Sequence, residues 1–331
     1  MSYDLKFVQA KNAAEAYKKL TSLIELHGTV IQSRNELTKE VLNVAVEIEN
    51  PRDRIINIEK FNLPFILQEA FDILNTNPPR VIHSKEMLQK TMGNSGDPMF
   101  FGNELRQALS RWSLNKIYQR FLKDKNTRKA VLDLGNRRNT KHTPCMLFAH
   151  FIIRDNKFYM TAETRGTAAS MGFINDVFLL TLVQELIYGW LKPHYPELEL
   201  GSFMYKTISL HEYINGEVVS ERDGSHGTAY TWSQSLNKFD YVENKIDLSY
   251  LDYMKDMGIL YQYVDDYMKM RTVEDIDHGD LILVSDILKP QKSYFTSEFF
   301  YNWANVLYWN AKSLDFGPQN YLEIFHTGDI K

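Results

Sequence analysis

The chain has a single cysteine, Cys145, in the stretch TPCMLFAHFIIRDNKFYMTAETRG (143–166). A thiolate is a strong nucleophile near neutral pH, and a guanidinium beside the sulfur favours that form. Arg165 lies on the far arm of the same stretch. Asp155-Asn156 at its centre tolerate the positive φ of a two-residue type I′ turn. Pairing Arg154 with Lys157 then sets a register that puts Cys145 opposite Gly166, beside Arg165. Strict alternation sends thiol and guanidinium to opposite faces of the sheet. A β-bulge in either strand would bring them to one face, and bulges are common next to active sites. Free cysteine is also among the most buried residue types, so on these residues alone a packed structural thiol stays open. A second pair, His211 and Tyr213 in SLHEY (209–213), stands two apart on a strand and projects to one face; a purely structural role stays open for it too.

These groups need a scaffold, and the chain has the material for one. It has 331 residues, 44% of them hydrophobic, enough for a sizeable core in one large domain or two smaller ones. Charged residues make up 24% with both signs interspersed, and the net charge is -4, which argues against a protein that wraps nucleic acid. One cysteine excludes an intramolecular disulfide and suits a reducing compartment. The first twenty residues lack the apolar core of a signal peptide, and no run of about 18 apolar residues occurs. The expectation is a soluble, cytoplasmic protein (host cytoplasm for a viral one) without a membrane partner.

Periodicity predicts mixed helix and strand without a clean βαβ alternation. Helices are expected at 11–25, at 63–75 with Pro64 in the first turn, at 104–124, and as the strongly apolar DVFLLTLVQELIYGWL (176–191). Strands are expected at 41–49, 129–134, in the two arms around Asp155, and at 202–213. Two tyrosine-rich helical stretches follow near 249–271 and 297–312. The Gly/Ser/Asn-rich stretch 215–245 is the candidate boundary between a catalytic unit at 1–236 and a mostly helical extension at 237–331 packed on it.

Taken in order, Pro144-Cys145 at a strand start, Arg165 some twenty residues later, GFIND (172–176) and SLHEY resemble the thymidylate synthase and pyrimidine nucleotide hydroxymethylase superfamily. Upstream, NTRKAVLDLGN (126–136) is similar to the family's Arg-Arg strand, and Glu69 in LQEAFDIL matches its catalytic-helix glutamate. The resemblance covers roughly residues 45–215. It implies an α+β fold with a kinked mixed β-sheet packed with helices, and a homodimer formed through the sheet.

The resemblance also implies roles. Cys145 would add to C6 of a pyrimidine, turning C5 into a carbon nucleophile toward the one-carbon unit of 5,10-methylenetetrahydrofolate. Arg165 would hold the nucleotide phosphate and activate the thiol. Arg128 and Lys129 would reach that phosphate from the partner subunit, the lysine replacing a usual arginine. Arg52 or Arg54 in NPRDRII would be a mobile phosphate-binding arginine. His211 and Tyr213 would meet the sugar 3′-hydroxyl, and Glu69 would organise water for proton transfer at the ring 4-position. Asp176 stands where uracil-using members carry asparagine. A carboxyl can complement cytosine, protonated to serve N3 or ionised against a ring protonated there, and Asp176 could alternatively serve as a helix cap. Four departures accompany the match. Gly166-Thr167-Ala168 replaces Ser-Ala-Asp, removing a phosphate-binding hydroxyl and an aspartate that handles folate and water. Phe101 in PMFFGNEL (98–105) stands for a tyrosine, 118 residues follow Tyr213, and the terminal HTGDIK matches no folate-closing ending. The expected function is dCMP 5-hydroxymethyltransferase. The alternatives are a thymidylate synthase making dTMP from dUMP, or a catalytically silent nucleotide-binding paralogue.

Overall fold

A computed structural model describes residues 3–33, 36–56, 63–74, 108–135, 144–214, 217–219, 226–228, 246, 248–272, 289–312 and 325. The strands are β1 (Lys6–Ala10), β2 (Thr29–Ser33), β3 (Glu36–Ile48), β4 (Val131–Asp133), β5 (Met146–Arg154), β6 (Lys157–Thr164), β7 (Thr167–Ala168), β8 (Glu199–Tyr213), β9 (Glu217–Val219) and β10 (His226–Thr228). The helices are α1 (Ala13–His27), α2 (Leu63–Leu74), α3 (Arg111–Lys123), α4 (Ile174–Leu191), α5 (Tyr250–Thr272) and α6 (Glu298–Lys312). The mixed α+β class expected from the sequence is what forms. Residues 104–107 of the expected helix at 104–124 lie outside the described residues; α3 forms within the rest, capped where the Ser110 hydroxyl accepts from the Ser113 amide. PMFFGNEL, with Phe101, and the terminal HTGDIK lie outside the described residues, as does most of 215–245.

An eight-stranded sheet runs β1-β3-β8-β6-β5-β4, with β2 added on β3 and β7 on β8. The pairs β1/β3, β6/β8 and β7/β8 are parallel and the others antiparallel. Register turns this into two chemically distinct faces. One transverse row reads Val8, Val46, Tyr205, Ala162, Ala149, Leu132; the next row on the opposite face reads Gln9, Glu47, Met204, Thr161, His150, Val131. The first is core and the second is polar or half-exposed.

Helix α4 packs on the core face and links β7 to β8. Buried Gln184 pins it there, its side-chain amide donating to the carbonyls of Phe158, Gly201 and Ser202. All its residues except Asn175 and Asp176 are buried, so only the first turn faces outward. By length and composition the segment Ala169–Leu191 could cross a membrane, but 78% of its apolar window is buried inside the protein. It is a core helix.

Residues on both sides of 236 share one hydrophobic cluster. Tyr253 and Tyr250 of α5 pack on Trp190 of α4, and Tyr261 stacks on Phe71 of α2. Gly189 is required where the chain crosses α4, because a Cβ there would lie 2.7 Å from the Leu248 carbonyl oxygen.

Candidate active site

The hairpin around Cys145 forms as a type I′ turn, with Asp155 at φ 48 and Asn156 at φ 56 and Arg154 paired with Lys157. Counting outward, the ladder is regular to Phe148↔Glu163 and then shifts to Met146↔Thr164. Leu147 is the extra residue of a β-bulge. The shift changes the expected partner of Cys145 from Gly166 to Arg165, whose backbone N–H donates to the Cys145 carbonyl at 2.9 Å. Thiol and guanidinium thereby share a face, with Arg165 Nη2 3.6 Å from Cys145 Sγ. Arg165 Nε also donates to the Pro144 carbonyl at 3.1 Å, so the guanidinium is held over the strand start. Both residues are half-buried.

Beyond Arg165 the chain resumes the same parallel register on β8, with Thr167 beside Leu210 and Ala168 beside His211. It then enters a π-helical turn, Ala169–Phe173, that runs directly into α4. Glu212 clamps the start of this turn, its carboxylate accepting from the Ser170 amide at 3.0 Å and from the Ser170 hydroxyl at 2.5 Å. Because the π turn feeds α4 without a break, Asp176 makes no cap bond. Its Oδ2 instead accepts from the hydroxyl of Tyr205 at 2.6 Å.

Glu69 on α2 lies close enough to Asp176 for their charges to interact. Burial, then Asp176, then Asp72 push the Glu69 carboxyl up to about 8. Burial pushes Asp176 up to about 7, opposed by the Tyr205 hydrogen bond. Each keeps a sliver of accessible surface despite the protein around it. Two carboxyls that hold protons near neutral pH, side by side and within reach of solvent, have the acidity that general acid–base work requires.

His211 and Tyr213 face one way from β8, their rings 5.5 Å apart and perpendicular. Burial holds the imidazole below its ordinary value, with the nearby Arg165 acting in the same direction and Glu40 against it. Glu40 is the cross-strand neighbour of His211 and accepts from the Ser209 hydroxyl. At neutral pH His211 is therefore an uncharged donor and acceptor, suited to a hydroxyl partner.

Two clusters thus form, Cys145–Arg165–His211 and Glu69–Asp176–Tyr205, joined by the segment from Thr164 to the π turn. The other sequence candidates lie elsewhere. Arg128 and Lys129 are exposed ahead of edge strand β4, where the Lys129 carbonyl accepts from Arg120. Arg52 and Arg54 both bind the buried carboxylate of Glu185 on α4, Arg52 through Nε at 2.8 Å and Arg54 through Nη2. Glu185 Oε1 also accepts from the Ile246 amide at 2.9 Å, and the Arg54 guanidinium lies over the Phe299 ring. Arg54 thereby meets the later part of the chain.

Sequence reasoning did not single out Tyr205, Glu40, Ser209, Glu212 or Glu185. Tyr205 alternates with Phe203 on β8 and reads as plain core. Among the described residues no group of three His, Cys, Asp or Glu side chains could hold a metal ion.

No family model matches this sequence. A deoxyuridylate hydroxymethyltransferase of Bacillus phage SP01 is 24% identical over 223 residues, covering 61% of this chain and 57% of that protein. The chain therefore spans little more than half the length of that relative. A putative thymidylate synthase of Methanocaldococcus jannaschii is 24% identical over 225 residues, covering 63% of this chain and 90% of the relative. One of Methanothermobacter thermautotrophicus is 26% identical over 223 residues, covering 62% and 92%.

Proposed function

We propose that this chain, whose relatives support a place at low identity in the thymidylate synthase and pyrimidine nucleotide hydroxymethylase superfamily, is a 5-hydroxymethyltransferase acting on dCMP. The observation that carries the reading is the bulge at Leu147, which sets the only thiol of the chain 3.6 Å from a guanidinium. In the reaction, Arg165 meets the nucleotide phosphate and favours the Cys145 thiolate, which adds to C6. The electron pair displaced from the C5–C6 bond spreads toward N3, where Asp176 delivers its proton. Glu69, also protonated near neutral pH, serves the 4-position through water. His211 and Tyr213 meet the sugar hydroxyl.

Methylenetetrahydrofolate is the proposed source of the carbon and would supply it at the oxidation level of formaldehyde. Where the family's folate-handling aspartate would stand, Ala168 presents a buried methyl beside His211. A methyl there offers folate neither a charge nor a hydrogen bond, so every step above concerns the nucleotide alone. Arg128 and Lys129, exposed beside an edge strand, are proposed to reach a partner's phosphate in a homodimer that buries the outer sheet face. Arg52 or Arg54 would bind phosphate only by leaving Glu185. We assign the catalytic unit to residues 1–236 and an extension to 237–331, acting in the cytoplasm without nucleic-acid or membrane partners.

One observation favours a second substrate. The phage relative is named for deoxyuridylate, and a neutral Asp176, with one donor and one acceptor, can also complement uracil. Incubating the protein with dCMP, CMP or dUMP plus methylenetetrahydrofolate, with mass detection of products, separates the substrates and distinguishes hydroxymethyl from methyl. Cys145→Ser should abolish turnover and release of tritium from C5 while leaving nucleotide binding. Asp176→Asn should shift kcat/KM from dCMP toward dUMP by at least about tenfold, because a mismatched buried polar group costs about 1–3 kcal/mol. Unaltered preference would end the base-reading role of Asp176, and full activity of the serine variant would end the covalent mechanism.

A further inference from the structure

Tyr205 is completely buried, yet it ends in a hydroxyl that donates to Asp176 Oδ2 at 2.6 Å. Its ring is fixed edge-on against Phe173, centroids 5.3 Å apart, and packs beside Phe203. Phe173 belongs to the π turn that delivers Asp176. A phenylalanine would fill the same space, so packing alone does not require the oxygen. We propose that Tyr205 is a positioning residue for Asp176, taking up Oδ2 so that the remaining oxygen carries the proton offered to the base, and stabilising the carboxylate left when that proton is gone. The inference rests on the reading of Asp176 given above and adds to it.

The proton balance is simple. As the Cys145 sulfur bonds to C6, the displaced pair reaches N3, which takes the proton from Asp176. A neutral acid becomes an anion in a largely buried position, and among the described residues the Tyr205 O–H is the donor in contact with it. A hydrogen bond that strengthens as charge develops is worth more in the transition state than in the ground state. Asp176 is faced by Tyr205 from β8 and by Glu69 from α2, with Asp72 behind Glu69. Burial raises Asp176 and the Tyr205 bond lowers it, so removing the bond makes Asp176 a weaker acid that keeps its proton to higher pH.

The test is the pH dependence of kcat on dCMP for wild type, Tyr205→Phe and Asp176→Asn, with thermal unfolding as the check on folding. Wild type should lose activity as pH rises through the titration of Asp176. Tyr205→Phe should move that alkaline limb upward by about one pH unit, the size implied by a hydrogen bond to a charged group. Its kcat on the acid side should fall about tenfold, as expected for a weaker general acid, with KM little changed. A 3-fluorotyrosine at position 205, a stronger donor of nearly the same shape, should move the limb downward even if the phenylalanine variant folds poorly. An alkaline limb that stays in place with both replacements overturns the role of Tyr205 but leaves the proposed activity standing. Absence of turnover by wild type on every pyrimidine nucleotide overturns the activity, and the role of Tyr205 with it.

Discussion

Replacing Arg165 by alanine should slow alkylation of Cys145 at neutral pH by about tenfold to a hundredfold. The guanidinium nitrogen lies 3.6 Å from the sulfur, and both side chains are half-buried. A pair of unit charges about 4 Å apart is worth roughly 1 kcal/mol in bulk water and roughly 4 kcal/mol near a protein surface. A partly solvated site falls between, so about 1.4–2.7 kcal/mol of preference for the thiolate is lost, and each 1.4 kcal/mol is a factor of ten in its population. The alanine variant keeps the backbone bond from Arg165 N to the Cys145 carbonyl, so the strand pair should survive. The assay is iodoacetamide labelling followed by intact mass across about pH 5.5–9.5. With one cysteine in the chain, every label reports this thiol. The two proteins should converge at the alkaline end, where both are fully thiolate, and Arg165→Lys should fall between them. Rates within twofold of wild type at every pH would show that the guanidinium does not govern the sulfur, and would leave Arg165 a phosphate ligand at most.

Other expectations concern stability. Glu69 is pushed from its ordinary 4.5 up to about 8 in the folded protein, so between those values the folded state holds a proton the unfolded chain has released. Stability should therefore fall as pH rises through that window. Glu69→Gln should flatten the decline and raise the melting temperature at pH 8, while kcat drops about 10²–10⁴-fold; a variant no more stable than wild type at pH 8 would contradict the buried neutral carboxyl. Arg54→Ala leaves Glu185 to Arg52 and the Ile246 amide and, by taking one charged partner from a buried carboxylate, should cost about 1–3 kcal/mol in denaturant unfolding, with nucleotide affinity of the folded protein unchanged. Normal stability with weakened nucleotide binding would instead restore Arg54 as a phosphate ligand.

The bulge shows where sequence reading reached and where it stopped. Asp155-Asn156 and the register from Arg154↔Lys157 were legible because turn chemistry and alternation are local. That a bulge was needed to join Cys145 and Arg165 was legible as well, but its place at Leu147 was not, because nothing in MLFAH marks one residue as extra. Tyr205 was hidden for a different reason. On a buried strand a tyrosine and a phenylalanine follow the same alternation, and only the tertiary position of the π turn shows what the hydroxyl meets. Arg52 and Arg54 share a short motif with surface arginines; the carboxylate that binds them comes from Glu185, distant in the chain. Strands β1 and β2 were missed because LKFVQA and TVIQS are short and border charged segments.

The docking of the later chain onto α2 and α4 bears on how this protein can be produced in the laboratory. Phe71 of the Glu69 helix is stacked by Tyr261, Trp190 is packed by Tyr250 and Tyr253, and Glu185 receives the Ile246 amide. A truncation designed from the residues that resemble the family, ending soon after Tyr213, would strip these partners, leaving Phe71 and Trp190 facing water and taking the Ile246 amide from Glu185. Such a fragment would expose a continuous apolar surface and be prone to aggregation. Its lack of activity would then reflect a helix without its backing rather than a site without its chemistry.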